Sequence, residues 1–110
     1  MKQDNKIEEM QILEQNLQSM LYQKQAFQME LSETQASKKE IEEAKDDVFK
    51  IVGQLMIKAE KGKVLDDLSS KEKLLELRIK AIEKQENSIS ERLEALKEEV
   101  LGKISDKLIE

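Results

Sequence analysis

Apolar residues recur along the first part of the chain in alternating steps of three and four, the heptad spacing of a helix that packs on another helix. From about residue 6 to residue 45 the sequence contains neither Gly nor Pro. Seven of the ten a and d positions in this stretch are apolar. The pattern therefore predicts a first long amphipathic helix over residues 6–45. Its a and d positions are Met10, Leu13, Leu17, Met20, Lys24, Phe27, Leu31, Thr34, Lys38 and Ile41.

Two β-rich apolar runs then replace the heptads. Residues 48–52 are rich in β-branched and aromatic side chains, residues 55–59 are strongly apolar, and Gly53 lies between the two runs. Runs of this composition around a glycine predict a β-hairpin over residues 48–59.

The length of the hairpin loop depends on how the apolar side chains divide between the two faces of the sheet. A two-residue turn at Gly53-Gln54 pairs Phe49 with Lys58 and leaves both faces mixed. An odd loop over residues 52–54 instead places Phe49, Ile51, Leu55 and Ile57 on one face and leaves Lys50, Met56 and Lys58 on the other. Period-two alternation favours the odd loop, unless an assembly covers both faces.

Heptad spacing resumes near Leu65, after a second predicted loop at Lys61-Gly62-Lys63. A capping-box spacing starts at Ser69, and Asp66 and Asp67 are equally good caps, so the start of the second helix stays open within residues 66–69. We expect this helix to span residues 66–108, with nine of thirteen a and d positions apolar. These positions are Leu65, Leu68, Glu72, Leu75, Ile79, Ile82, Glu86, Ile89, Leu93, Leu96, Val100, Lys103 and Lys107.

Two helices of about 40 residues, or roughly 60 Å each, joined by a short connector predict an antiparallel pair. The expected fold class is thus all-α dominated: a long antiparallel two-helix coiled coil joined by a short β-hairpin, forming one domain over residues 1–110. If facing residue numbers add to 113, the facing pairs are Leu13 with Val100, Leu17 with Leu96, Met20 with Leu93, and Leu31 with Ile82.

Four charged residues interrupt the apolar seam of this pair. Lys24 lies one layer from Glu86, and Lys38 lies one layer from Glu72, with the same offset in both cases. Polar residues in a seam can fix the register of a coiled coil, so we expect these two pairs to do so. The alternative is that a thin, half-exposed seam simply tolerates long Lys and Glu side chains.

Composition excludes several classes of function. The chain is 39% charged and 3% aromatic, so it cannot build a large globular core. It has neither His nor Cys for zinc binding or nucleophilic catalysis, and its three glycines form no phosphate loop. We therefore expect no enzyme activity and no cofactor or metal. A net charge of −5 disfavours nucleic acid, and the lack of a signal peptide, of a long apolar run and of cysteine favours a soluble cytoplasmic protein.

The apolar hairpin predicts that the chain forms an oligomer. A two-stranded hairpin is marginal on its own in water, and this chain supplies no further strand to cover it. We expect the subunits to join through Val48, Phe49, Ile51, Val52, Gly53, Leu55, Met56 and Ile57.

The stretch from Val48 to Lys58 resembles the hairpin signature of archaeal-type, β-class prefoldin subunits. There an aromatic-Lys pair, a Gly and an aliphatic run ending in Lys occur in this order. The likeness extends over roughly residues 10–96, and the single hairpin favours the β class because α-class subunits have two. The helical segments that resemble the family are Gln23-Lys24-Gln25, Glu33-Thr34-Gln35, Leu77-Arg78, Lys80 and Ile82-Glu83-Lys84-Gln85-Glu86.

The resemblance implies an ATP-independent co-chaperone. In the family, two α and four β subunits form a hexamer in which the hairpins assemble into β-barrels. The coiled coils extend from this platform, and their tips bind unfolded proteins and transfer them to a group II chaperonin. The competing interpretation is a structural coiled-coil adaptor without client binding, although a plain scaffold has no need of two apolar strands.

Apolar residues outside the regular seam gather where the two chain ends meet. Gly102 weakens the helix there by about 1 kcal/mol relative to Ala, and Lys103 and Lys107 occupy seam positions. We expect this end to bind clients, the alternative being a local stutter of the heptad. The expected client-binding residues are Ile7, Met10, Ile12, Leu13, Leu17, Val100, Leu101, Ile104, Leu108 and Ile109. Leu74 and Leu77, nearer the hairpin, are expected to pack against either a barrel or a neighbouring subunit.

Overall fold

The computed structural model describes the backbone of residues 2–109 and the side chains of residues 5–102. It confirms the predicted fold class of two long helices joined by a short antiparallel hairpin. The elements are helix α1, Lys2–Glu43; strand β1, Val48–Val52; strand β2, Leu55–Ala59; and helix α2, Lys61–Ile109.

The chain divides into two compact units. The hairpin unit comprises Ala26–Ile79, and the terminal unit comprises Met1–Gln25 together with Lys80–Glu110. Each unit holds a segment of α1 and a segment of α2 that pack on each other through a and d positions. Within the described residues, neither helix has a segment long and apolar enough to cross a membrane.

The predicted loop at residues 61–63 is wrong, because α2 already begins at Lys61. The Lys61 ammonium donates hydrogen bonds to the carbonyl oxygens of Glu42, at 3.1 Å, and Ala44, at 2.9 Å. A cation at the C-terminus of a helix satisfies free carbonyl groups and interacts favourably with the helix dipole. Lys61 thus caps the end of α1 from the start of α2, and these contacts offset the low helix propensity of Gly62.

The hairpin has a two-residue turn, so the odd loop favoured from sequence is also wrong. Val52 pairs with Leu55, Phe49 pairs with Lys58, and Gly53 has a φ of +62°. Among the described residues no non-Gly residue has a positive φ, so the turn has its left-handed residue only at the first central position. This is the type II′ pattern, in which glycine takes that position and the turn matches the twist of the strands.

The buried residues of both units lie at a or d positions. In the hairpin unit they are Thr34, Leu75 and Ile79, and in the terminal unit they are Ile82, Leu93 and Leu96. Thr34 is the one polar residue among them, and its hydroxyl donates to the Glu30 carbonyl oxygen at 2.8 Å. The described core is therefore thin, apolar and free of unpaired polar groups.

Replacing Gly53 by Ala should loosen the hairpin, because an L side chain in the left-handed conformation costs about 1–2 kcal/mol. Amide hydrogen exchange in residues 48–59 is then expected to accelerate by about tenfold, since 1.4 kcal/mol corresponds to tenfold in an equilibrium. Gly53→Asn is the control and should have a smaller effect, because Asn tolerates this conformation. Equal exchange rates in Gly53→Ala and the unmodified chain would contradict the turn.

Candidate functional site

The hairpin carries the largest group of exposed apolar side chains in the described chain. Their exposed fractions run from 48% at Ile57 to 72% at Ile51. We call this group the hairpin surface, and it consists of Phe49, Ile51, Val52, Leu55, Met56 and Ile57. Residues that pair across the strands share a face, so the observed register divides these six side chains between two faces.

Both faces of the hairpin are mainly apolar, and each carries a single lysine. One face has Phe49, Ile51 and Met56 with Lys58, and the other has Lys50 among the remaining strand residues. The Lys58 ammonium lies 3.5 Å from the Asp47 carboxylate. Since neither face is polar enough for solvent, both need a cover, and the two-residue turn is consistent with an assembly that buries both.

The face with Lys50 lies above the first turns of α2. Val48 and Ala59, at the two ends of the paired strands, are half-buried there. Two clefts separate this face from the helices. One is lined by Val52, Ile57, Val64 and Asp67, and the other by Ile41, Val48, Val64, Asp67 and Leu68, together with strand and connector residues. This face is thus only partly covered by its own chain.

Both predicted Lys–Glu pairs of the seam form in the structure. The Lys24 ammonium lies 2.8 Å from the Glu86 carboxylate in the terminal unit, and Lys38 lies 3.7 Å from Glu72 in the hairpin unit. All four side chains are partly buried. The hydrogen bond that Lys24 donates to Glu86 raises the pKa of the Lys24 ammonium above its ordinary 10.5, and desolvation opposes this rise. That these pairs fix the register stays a prediction.

The register itself differs from the expected one by a heptad. In the hairpin unit, Glu30 pairs with Lys71 at 3.1 Å, and Arg78 lies 5.7 Å from the centre of the Phe27 ring. Facing numbers that add to 113 would place Lys71 twelve residues from the position opposite Glu30, an axial distance of about 18 Å. No Glu–Lys pair spans that distance, so the expected facing pairs are wrong.

Contacting residue numbers in the hairpin unit add to 101, 105 and 110. The same three sums occur in the terminal unit, at Glu9–Arg92, Lys6–Glu99 and Lys24–Glu86. Registers that place a positions opposite d positions differ by seven in the sum of the two facing residue numbers. The observed sums lie around 106, one heptad below 113, so facing residue numbers add to about 106 in each unit. Leu13 therefore lies at the height of Leu93, and Leu31 at the height of Leu75. Lys24 is one layer from Glu86 in either register, which is why this pair was predicted correctly.

Three ion pairs between the helices were not predicted from the sequence: Glu30–Lys71, Glu9–Arg92 and Lys6–Glu99. Glu30–Lys71 and Glu9–Arg92 each join two g positions. In antiparallel coiled coils opposite charges at g positions meet across the seam. The signal was present in the sequence, but only the correct register brings these residues together.

The expected client-binding residues fall into two groups in the structure. Ile7, Ile12 and Leu101 are 43%, 56% and 63% exposed, and we call them the terminal surface. Met10, Leu13, Leu17 and Val100 are half-buried. The side chains of Ile104, Leu108 and Ile109, like those of Lys103 and Lys107, lie outside the described ones.

Ion pairs border the terminal surface. The Arg92 guanidinium donates two hydrogen bonds to the Glu9 carboxylate, at 3.0 and 3.3 Å. Its hydrogen bond and charge interaction with Glu9 raise the pKa of Arg92 further above its ordinary value. Lys6 lies 2.8 Å from Glu99. These pairs hold the helices together next to side chains that remain open to solvent. Within the described residues there is no cluster of three or more acidic residues positioned to hold a metal ion.

Comparison with known proteins places this architecture among prefoldins. The family model described as prefoldin subunit matches residues 4–107. The chain is 37% identical to the prefoldin subunit beta of Thermococcus onnurineus over 89 residues, 79% of this chain and 77% of that protein. It is 33% identical to the prefoldin subunit beta of Methanothrix thermoacetophila over 98 residues, 87% of this chain and 82% of that protein.

Solved structures show the same likeness. The crystal structure of the prefoldin beta subunit from Thermococcus strain KS-1 superposes with a TM-score of 0.86 at 32% identity. This match covers 92% of the present chain and 90% of that one. The beta2 subunit from the same strain shares the fold, with a TM-score of 0.68 at 16% identity.

Exchanging the charges of one seam pair tests its contribution to the helix pairing. Lys24→Glu and Glu86→Lys should each lower the free energy of unfolding, and the double variant should be more stable than the two single losses predict. The pKa of Lys24 is higher in the folded chain than its ordinary value of 10.5. The pair therefore contributes fully to the free energy of unfolding below pH 10.5, and this contribution is lost as the pH rises through the folded-state pKa. Urea unfolding at pH 7 and pH 11 measures both effects.

Lys84→Glu, an exposed residue of the same unit, is the matched control for the change in net charge. Its effect should be small, and the Glu86→Lys change should not rescue it. Additive losses in the Lys24 and Glu86 double variant would contradict a coupled pair.

Proposed function

The chain belongs to the prefoldin subunit family, in its β class, and on that premise we propose that it is a subunit of an ATP-independent co-chaperone that holds unfolded proteins. Prefoldins are chaperones and not enzymes. The single observation that carries the proposal is the hairpin surface. Six large apolar side chains stay about half or more exposed on two short strands, and exposed apolar side chains grouped in this way mark an interaction site.

Assembly through the hairpin surface is the first part of the proposal. Among the described residues, strands β1 and β2 pair only with each other, so each has a free edge that can accept a strand of another subunit. Hairpins joined edge to edge into β-barrels would bury one apolar face in the barrel interior. The face with Lys50 is already partly covered by the helices of its own chain. The partners we expect are α-class prefoldin subunits, in a hexamer of two α and four β chains. No nucleic acid or membrane is involved.

Client binding at the terminal surface is the second part. Ile7, Ile12 and Leu101 offer exposed apolar side chains of the kind that an unfolded chain can bind without a specific sequence. Met10, Leu13, Leu17 and Val100 would add to this surface when the helix ends separate. Ile104, Leu108 and Ile109 complete the proposed set.

Transfer to a group II chaperonin in the cytoplasm is the third part. Its support is the family alone, together with a cysteine-free composition that suits a reducing compartment. A structural adaptor without client binding has no need of the two apolar strands, and it gives no reason for the exposed side chains of the terminal surface.

Replacing the terminal surface by serine tests client binding. The triple variant Ile7→Ser, Ile12→Ser, Leu101→Ser should lose about tenfold or more of its affinity for a chemically unfolded model protein, since burying each such side chain contributes about 1.5–3 kcal/mol. Suppression of aggregation, measured without nucleotide, should fall accordingly. Helix stability and oligomer mass should hardly change, because exposed substitutions usually cost within about 0.5 kcal/mol.

Leu21→Ser with Tyr22→Ser is the matched control, since both residues are exposed apolar side chains of the same unit. This double variant should suppress aggregation as the unmodified chain does. Full suppression by the triple variant would leave the adaptor interpretation as the better one.

A further inference from the structure

Each of the two helices of the hairpin unit exposes a large apolar side chain at the position that points directly away from the seam. Met29 of α1 is 67% exposed, and Leu77 of α2 is 64% exposed. Both occupy f positions, which point directly away from the partner helix. Because facing numbers add to about 106 in this unit, Met29 and Leu77 lie at the same height on opposite outer faces.

Charged residues on the two outer faces also lie at equal heights, and most of them carry opposite charges. At equal heights stand three oppositely charged pairs of positions: Glu33 with Lys73, Lys39 with Asp67, and Glu43 with Lys63. All six side chains are exposed, and none takes part in an ion pair within the described residues.

Opposed outer faces cannot meet within one chain, but they meet when two copies stand side by side with their hairpins level. The outer face of α2 in one copy then runs antiparallel to the outer face of α1 in the next. Leu77 would lie against Met29, and Glu33 against Lys73. One like-charged pair, Glu40 with Asp66, falls at the same height, with Lys39 and Lys63 each within a turn of it.

We propose that the hairpin unit carries a second interface, in which the Lys73–Leu77 face of α2 docks against the Met29–Glu33 face of α1 in a second copy of this chain. The occupant is a second copy because its α1 carries the complementary charges at matching heights. The face is continuous with the hairpin surface, since Asp67, one heptad before Leu74, lines both clefts below the hairpin. Leu74, 48% exposed, borders the contact.

This interface is head-to-tail, because one copy contributes α2 and the other contributes α1. It rests on the proposed function, since subunits joined through their hairpins supply the side-by-side arrangement. It would set the spacing between neighbouring helix pairs near the hairpins.

The chain contains no cysteine, so single cysteines can report on the contact. Met29→Cys and Leu77→Cys chains are prepared separately, mixed in equal amounts before assembly, with and without an α-class prefoldin subunit, and then oxidised. A covalent dimer is expected in the mixture and not in either variant alone. Gln28→Cys is the matched control: it is exposed and one residue from Met29 but points along the seam edge, and its mixture with Leu77→Cys should form dimer several-fold more slowly.

A charge exchange between chains sharpens the test. Adding Lys73→Glu to the Leu77→Cys chain should slow dimer formation several-fold, and adding Glu33→Lys to the Met29→Cys chain should restore it. Restoration requires that the two residues meet across chains.

Three outcomes overturn the proposal. Equal dimer formation by Leu77→Cys alone would show a two-fold contact between α2 helices. A full oligomer by native mass spectrometry, without dimer in the mixture, would leave the proposed function standing and remove this interface. The absence of any oligomer, with or without the α-class subunit, would remove both.

Discussion

One chain does not cover both apolar faces of its own hairpin, and the remaining features of the molecule follow from this constraint. The strands have one partner each, their six large apolar side chains stay exposed, and the helices cover only part of one face. The two-residue turn around Gly53 keeps this arrangement, because it distributes Phe49, Ile51 and Met56 to one face and Val52, Leu55 and Ile57 to the other. The chain's own helices cover part of the face with Lys50, and the face with Phe49, Ile51 and Met56 stays open.

The connector also determines how the helices meet. Lys61 caps the end of α1 while it begins α2, so the second helix follows the hairpin without a loop. A loop between the hairpin and α2 would add residues to the chain without adding length to the helix. Each α2 residue at a given height would then have a higher number, and the sum of facing residue numbers would rise. The direct connection gives sums near 106 in the hairpin unit, close to the 107 of Val48 and Ala59 in the hairpin itself.

The heptads were sufficient to predict both helices and the ion pairs Lys24–Glu86 and Lys38–Glu72, and the two β-rich runs were sufficient to predict the hairpin. The heptads were insufficient to determine the register, since facing residue numbers that add to 106 and to 113 both place a positions opposite d positions. The loop predicted at residues 61–63 is absent because Lys61 caps α1 from the first residue of α2, a contact that the sequence pattern does not reveal. The turn failed because alternation was judged for a sheet with one buried face. Ile7, Ile12 and Leu101 lie outside the a and d positions of the heptads, and the structure finds them exposed.

Assembly driven by the hairpin surface is the central claim, and the mass of the unmodified chain in solution tests it most directly. Native mass spectrometry of the chain with an α-class prefoldin subunit should give a hexamer of two α and four β chains. A chain that stays monomeric with and without the α-class subunit, its hairpin surface open to water, would contradict the account.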